Sequence, residues 1–374
     1  MIRVAFITSS LTTGGAEKML YKLVQHMDRT LVLPSVVCLR GATALAEDIR
    51  SLGVEVVCLD IGGVRGGLAG LIGLRSAVRR LDPEILQGWM VHGNLASSVA
   101  GVLLRKRVYW GVRHSELPAA VERRSTIAVE RLLGLLSRHP VRIIYNSHAG
   151  RARHERLGYA RDRSVVIPNG FDTDTFAPSQ THRASVRAEL SLAQDAILVG
   201  MVGRYHPMKD HRTFLMAARQ ASASANIGKF LLIGAGCNRA NASLAAMLEE
   251  FELWDRVALL DEREDMPRLT AALDIATLTS RSGEAFPNAI GEAMASAVPC
   301  VVSDVGDCRL VVDGCGIVLP PGDPAAVAGA WTRLLAMDIS ARRTLGESGR
   351  RRILERYSIA AVAGEYAALY SAAT

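Results

Sequence analysis

Glu284 and Glu292 stand eight residues apart in Arg281-Ser-Gly-Glu-Ala-Phe-Pro-Asn-Ala-Ile-Gly-Glu-Ala-Met-Ala295. An apolar run, Ile275 to Leu278, precedes the first acid and reads as a strand. A helical pattern beginning near Phe286 carries the second. Ligands of open α/β sheets lie at the carboxyl ends of strands, so both acids can face one crevice. Carboxylates accept hydrogen bonds from paired hydroxyls, such as those of a sugar or a ribose. The helix N-terminus around Phe286, Pro287 and Asn288 offers N–H groups and a positive dipole to phosphate, although Pro287 itself has no N–H. Sugar, phosphate and ribose together describe a nucleotide sugar. A two-carboxylate hydrolase, with carboxyls roughly 5–10 Å apart, fits the same spacing. Cations able to hold a diphosphate argue for the first chemistry.

Arg204 and Lys209, in Val202-Gly-Arg-Tyr-His-Pro-Met-Lys-Asp210, are such cations. A planar guanidinium and a point-charge ammonium can hold a diphosphate together. Lys209 at a helix start opposes the dipole, and a residue set against its local preference points to function. Gly14 and Gly15, in Thr12-Thr-Gly-Gly-Ala-Glu17, follow the first strand. They would let phosphate approach the backbone, and a plain tight turn explains them equally. His114, in Trp110-Gly-Val-Arg-His-Ser-Glu116, and His92, in Trp89-Met-Val-His-Gly-Asn94, are read at adjacent strand ends. His114 then faces the cleft, with His92 and Asn94 on the acceptor side. His148, His154 and His182 are read as structural or merely exposed. No Asp-x-Asp metal motif, Walker loop or Ser elbow is visible, so neither metal nor cofactor is expected.

Alternating strand and helix patterns must position these residues. Strands are expected at Ile2–Thr8, Ser35–Leu39, Glu55–Leu59, Glu84–Gln87, Val108–Val112 and Arg142–Tyr145, with helices between them, including His92–Leu104 and Pro118–Arg138. A second series runs through Ile197–Val202, Phe230–Ile233, Val257–Leu260, Ile275–Leu278, Cys300–Ser303 and Gly316–Val318. The expected class is α/β: two Rossmann-like doubly wound domains, residues 1–165 and 166–356, facing across a cleft, with 357–374 packing back on the first. In Pro118–Arg138, Val121, Ala128, Val129, Leu132, Leu133, Leu135 and Leu136 are read on one side and Arg123, Arg124, Arg131 and Arg138 on the other. That helix either packs on its own sheet with a basic back or docks on anionic lipid.

The 374 residues suit two domains. Aromatics are only 5%, too thin for a stacking nucleic-acid binder, so no nucleic-acid partner is expected. The net charge of +7 is uneven: residues 1–165 carry +11 and the remainder −4. The basic half suits an anionic partner such as a membrane surface or a phosphate-bearing acceptor. Six cysteines without a CxxC pair read as reduced thiols, and Ile2–Thr8 reads as a strand rather than a leader. The expected location is cytoplasmic, peripheral to the inner face of the plasma membrane.

Taken together, Gly14-Gly-Ala-Glu17, Ile167-Pro-Asn-Gly-Phe171, Val202-Gly-Arg204 with Lys209, Leu232-Ile-Gly-Ala-Gly236 and Glu284-x7-Glu292 resemble family 4 of the retaining glycosyltransferases, which have the GT-B fold. The resemblance runs nearly end to end, and its bacterial members often build surface glycans. It implies that Glu292 binds ribose, Glu284 the donor sugar, and Arg204 with Lys209 the diphosphate. Gly15 closes on that diphosphate, and His114 lies near the transferring sugar. The implied donor is a UDP-sugar, with a GDP-sugar as the other choice, and the acceptor a glycan or lipid-linked sugar. A nucleotide-sugar epimerase and a non-catalytic partner subunit are the alternatives. Two departures stand out: the family usually has Glu-Gly-Phe at Glu284-Ala-Phe286, and often Lys-Gly at Lys209-Asp210.

Overall fold

Val4 and Phe6 enter one core while Ala5 and Ile7 enter another, so β1 (Ile2–Thr8) is buried on both faces, as a strand inside a parallel sheet must be. The computed structural model describes residues 1–12, 14–61, 66–115, 124–222 and 227–372. It divides into two units, residues 1–170 with 359–374, and residues 171–358.

The first unit runs β1, α1 (Gly15–His26), β2 (Val32–Cys38), α2 (Ala44–Ser51), β3 (Glu55–Cys58), α3 (Gly66–Leu81), β4 (Ile85–Trp89), α4 (Met90–Leu104), β5 (Arg107–Val112), α5 (Arg124–Leu136), β6 (Arg142–Tyr145), α6 (His148–Arg156) and β7 (Ser164–Val166). All its strands are parallel, in the order β3-β2-β1-β4-β5-β6-β7. Strand β2 starts three residues earlier than its apolar run suggests, because Pro34 lies within it. Pairing with β3 begins only at Ser35, so Pro34 sits where β2 is locally an edge and its missing N–H is tolerated.

The second unit runs α7 (Gln180–Glu189), β8 (Ile197–Val202), α8 (His211–Ser222), β9 (Ile227–Ile233), α9 (Ala242–Glu250), β10 (Val257–Leu259), α10 (Met266–Ala271), β11 (Ile275–Leu278), α11 (Asn288–Ala295), β12 (Cys300–Ser303), α12 (Cys308–Val312), β13 (Gly316–Leu319), α13 (Pro324–Ala336) and α14 (Ile339–Arg356). Its sheet is again parallel, in the order β10-β9-β8-β11-β12-β13. Alternation recurs, with Leu198 in one core and Val199 and Met201 in the other. The last helix, α15 (Ile359–Ser371), belongs to the first unit. Its Val362, Tyr366 and Tyr370 enter the core beside α1, and the Tyr370 hydroxyl donates to Gln87 Oε1 at 2.9 Å.

Both sheets reverse direction at their first strand, between β1 and β4 and between β8 and β11. Such switch points leave a crevice at the strand carboxyl ends, where ligands of doubly wound sheets bind. Topology alone therefore selects four loops, after β1, β4, β8 and β11.

Candidate active site

In the second unit the β8 and β11 loops are tied into one structure. Thr279 Oγ1 donates to the carbonyls of Lys209 (3.1 Å) and Asp210 (3.0 Å), and Arg281 N donates to Met208 O (2.8 Å). Lys209 ends a 3-10 turn, Pro207–Lys209, and is not yet part of the helix as the sequence suggests. Its ammonium donates to Glu284 Oε1, and the Ser280 hydroxyl donates to the same oxygen at 2.7 Å. Glu284 is buried. Arg204 is exposed on the same loop and makes no ion pair among the described residues. Partial burial first, then the charges of Arg204 and Lys209, hold His206 below its ordinary value, so this loop is electropositive.

Asp210 has left-handed backbone, φ +52, which explains why glycine suits that position. Aspartate tolerates the conformation and gains a cap: its carboxylate accepts from Thr213 N (3.2 Å), Thr213 Oγ1 (2.6 Å) and Arg281 Nε (2.7 Å). Ala285, the other departure, is buried and is not among the described residues with left-handed backbone. Gly306 is needed instead: a Cβ there would lie 1.7 Å from the Glu284 carbonyl. Helix α11 starts at Asn288, with Pro287 as its N-cap and Phe286 buried just before it. Glu292 is therefore little more than one turn into α11 rather than two, and half-buried. A cavity of about 590 Å³ opens at the opposite end of this sheet, beside Ile197, Asp274 and Pro299, away from these loops.

In the first unit, Gly14 caps α1 and Gly15 is its exposed first residue; Thr13 lies outside the described residues. The turn from β4 to α4 is tight. Met90 has φ +66, uncommon for a residue with a side chain. Its neighbours impose this. A Cβ at Gly93 would stand 2.2 Å from Ile7 O, and Asn94 exchanges two hydrogen bonds with the Gly111 backbone, at 3.0 and 3.2 Å. Asn94 is thus buried and engaged in joining α4 to β5, whereas the sequence placed it on the acceptor side. His92 lies in the first turn of α4, not at a strand end, and is exposed.

His114 follows β5 by two residues and is largely buried. Its Nε2 is 3.2 Å from Glu130 Oε1, which also receives Arg153 Nη1 (2.9 Å) and faces His154 Nε2 (3.3 Å). Burial opposes the Glu130 charge, but its hydrogen bonds, from His114 first and from Arg153, outweigh it and hold the carboxyl well below its usual range. Burial, chiefly, lowers the His114 value. His114, Glu130 and His154 are spaced as a cation site could be, but the Arg153 guanidinium already supplies positive charge to the shared oxygen.

Sequence patterning missed Glu130, Arg153 and Ser280, and took His154 as structural or exposed. The signal for Glu130 is its phase. Glu130, Leu133, Gly134 and Ser137 are buried, at helical spacing. Leu132, Leu135 and Leu136, expected on the same side as Leu133, are exposed. Gly134 lets Tyr159 approach within 3.3 Å of where a Cβ would be, and the Tyr159 hydroxyl donates to Glu130 O at 2.8 Å, so α5 is buried along a narrow line. Val121 and Arg123 lie outside the described residues.

Residues 13–175 match the family model described as Glycosyltransferase Family 4, and residues 196–337 that of Glycosyl transferases group 1. EpsF of Bacillus subtilis, a glycosyltransferase by assignment, is 26% identical over 91% of this chain and 88% of that protein. The UDP-Gal:alpha-D-GlcNAc-diphosphoundecaprenol alpha-1,3-galactosyltransferase of Escherichia coli is 28% identical over 52% of this chain and 50% of that protein. HepE of Anabaena, solved in complex with UDP, aligns with a TM-score of 0.86 over 99% of this chain and 100% of that one, at 21% identity. The structural likeness establishes the GT-B fold.

Proposed function

Because the chain belongs to the family 4 glycosyltransferases and has the GT-B fold, we propose that it is a retaining enzyme of cell-surface polysaccharide synthesis. It would move a sugar from a nucleotide-diphosphate sugar to a glycan or lipid-linked acceptor. Glycosyl transfer in glycan biosynthesis follows from the family. The observation that carries the finer reading is the convergence of Lys209, Ser280 and Glu284 beside Arg204 at the β8/β11 switch point. A diphosphate meets two cations there, and a sugar meets a carboxylate held in place by its neighbours.

In this reading Glu292 holds the ribose hydroxyls, and Glu284 the sugar hydroxyls. Backbone N–H groups at Phe286 and Asn288 reach the sugar or distal phosphate. Gly14 and Gly15 approach the diphosphate, and His114 the transferring sugar, with His92 toward the acceptor. The anomeric carbon breaks its bond to the phosphate oxygen and forms one to the acceptor oxygen on the same face. The acceptor proton passes to the leaving phosphate oxygen. Arg204 and Lys209 stabilise the charge growing there, a task that then needs no metal. UDP is the favoured nucleotide, with GDP the other choice; HepE, with the same fold, is solved with UDP-glucose.

A lipid-linked acceptor is favoured by the relative that acts on a diphosphoundecaprenol substrate and by one surface. Val102 and Leu103 of α4 and Leu132, Leu135 and Leu136 of α5 are exposed on neighbouring helices, with Arg105, Arg131 and Arg138 on or just after them. No helix among the described residues is long and apolar enough to cross a membrane. The test is calorimetric titration of UDP- and GDP-sugars into wild type and Glu292→Ala. A hydrogen-bonded charged group is worth ~1.5–3 kcal/mol, so the variant should bind roughly 10- to 100-fold more weakly. Equal affinity would remove the ribose assignment, and sugar-nucleotide turnover without acceptor would favour an epimerase.

A further inference from the structure

We propose that Glu130 is a positioning residue for His114, holding its ring in one tautomer for the sugar that His114 is read to contact. The inference rests on that reading of His114. Glu130 is 4% exposed and occupies a phase of α5 that otherwise buries Leu133 and Gly134. A buried carboxylate persists only where donors satisfy it. Two donors, His114 Nε2 from the loop after β5 and Arg153 Nη1 from α6, converge on its Oε1, with His154 Nε2 3.3 Å away.

The tautomers follow from the acceptors. His154 Nδ1 lies 2.8 Å from the Gly150 carbonyl, which can only accept, so that nitrogen carries a hydrogen. His114 Nε2 faces an ionised carboxylate, so it carries the hydrogen of the neutral ring. His114 Nδ1 is left as the lone-pair nitrogen, buried and without a hydrogen-bond partner among the described residues. A substrate hydroxyl is the donor it lacks. Arg153 keeps Glu130 ionised, while the His154 ring, edge-on to His114 with centroids 5.1 Å apart, limits its rotation. Tyr145 and Tyr159 close the far side against His154.

The test is a double-mutant cycle on turnover with Glu130→Gln and His114→Ala. Glu130→Gln should lower kcat roughly 10- to 100-fold, as removal of an outer partner typically does, while the Kd for UDP stays within about twofold. Adding Glu130→Gln to His114→Ala should cost almost nothing further, because the two act as a unit. Additive losses, or a Glu130→Gln kcat within about twofold of wild type beside a crippled His114→Ala, would overturn the positioning role alone. A fully active His114→Ala would instead overturn the reading of His114 beneath it. If Glu130→Gln does not fold, Arg153→Gln takes its place, with a smaller kcat loss expected and the same non-additivity. Stoichiometric zinc uptake that disappears in Glu130→Gln would also overturn the proposal, by making the cluster a metal site.

Discussion

Glu284→Gln should tighten binding of free UDP while impairing transfer. The Lys209 ammonium is engaged by Glu284, and a phosphate must compete with that carboxylate. The Lys209 side chain is 25% exposed and that of Glu284 9%, so the pair lies between a surface and a buried ion pair. Screening leaves roughly 1 kcal/mol for the attraction a phosphate must replace, about a fivefold gain in affinity when the carboxylate becomes an amide. Transfer should fall roughly 10- to 100-fold, because a charged acceptor for the sugar hydroxyls is lost. Lys209→Ala should behave in the opposite way. It leaves the Glu284 carboxylate with the Ser280 hydroxyl as its described partner. Breaking a fully buried pair costs about 3–5 kcal/mol; discounted for the exposure of Lys209, about 2 kcal/mol of stability should go, along with UDP affinity. The assays are calorimetry with UDP, urea denaturation and single-turnover transfer at saturating donor. UDP binding to Glu284→Gln weaker by tenfold or more would refute the idea that the carboxylate and the phosphate share one ammonium.

Asp210→Ala should destabilise the protein by about 2 kcal/mol, roughly 1 from the lost cap and roughly 1 from the lost pair with Arg281, while its Cβ, like that of aspartate, stays in left-handed backbone. Asp210→Gly should recover about half, and equal urea midpoints for the two variants would contradict the backbone account. His211 is buried, and burial, followed by the Lys209 charge, pushes its pKa down to about 4 from 6.5. The unfolded chain therefore takes up the proton first as pH falls. The stability is fully present above about pH 6.5 and declines by about 3 kcal/mol in all between there and about pH 4. His211→Gln should flatten that part of the stability curve, and an unchanged slope would sink the assignment. Liposomes of anionic lipid should co-sediment the protein at low salt and release it at high salt, each basic residue contributing ~1 kcal/mol; no binding at low salt would favour a soluble acceptor.

Much of the second unit's candidate site was legible because its residues sit on loops whose place follows from strand order. Arg204 follows β8 by two residues, Lys209 precedes α8 by two, Glu284 precedes α11 by four, and Glu292 lies on α11. The strands announce themselves by short apolar runs, since a parallel sheet covered on both faces needs nothing polar along them. Even the departures from family pattern could be weighed this way. The change from glycine at Asp210 is one, and the left-handed turn with its cap shows why aspartate serves there.

The first unit was less legible, and the reason is physical. A helix that touches its neighbours along a narrow line buries about one residue in three or four. Apolar periodicity identifies that line only when its members are apolar. In α5 one of the buried positions is Glu130, while leucines flank the line in solvent. A reader of the pattern therefore gathers the leucines to the core and leaves the acid outside. What turns Glu130 inward lies elsewhere in the chain: His114 after β5 and Arg153 and His154 on α6. Asn94 shows the complementary case, a polar side chain beside the crevice whose two hydrogen-bonding groups are both taken by the Gly111 backbone. Polarity near a strand end marks a candidate, but only the partners decide whether its hydrogen bonds remain for a ligand. By that criterion exposed Arg204 and the buried, unpartnered His114 Nδ1 have capacity to offer, whereas Asn94 is buried with both its groups engaged.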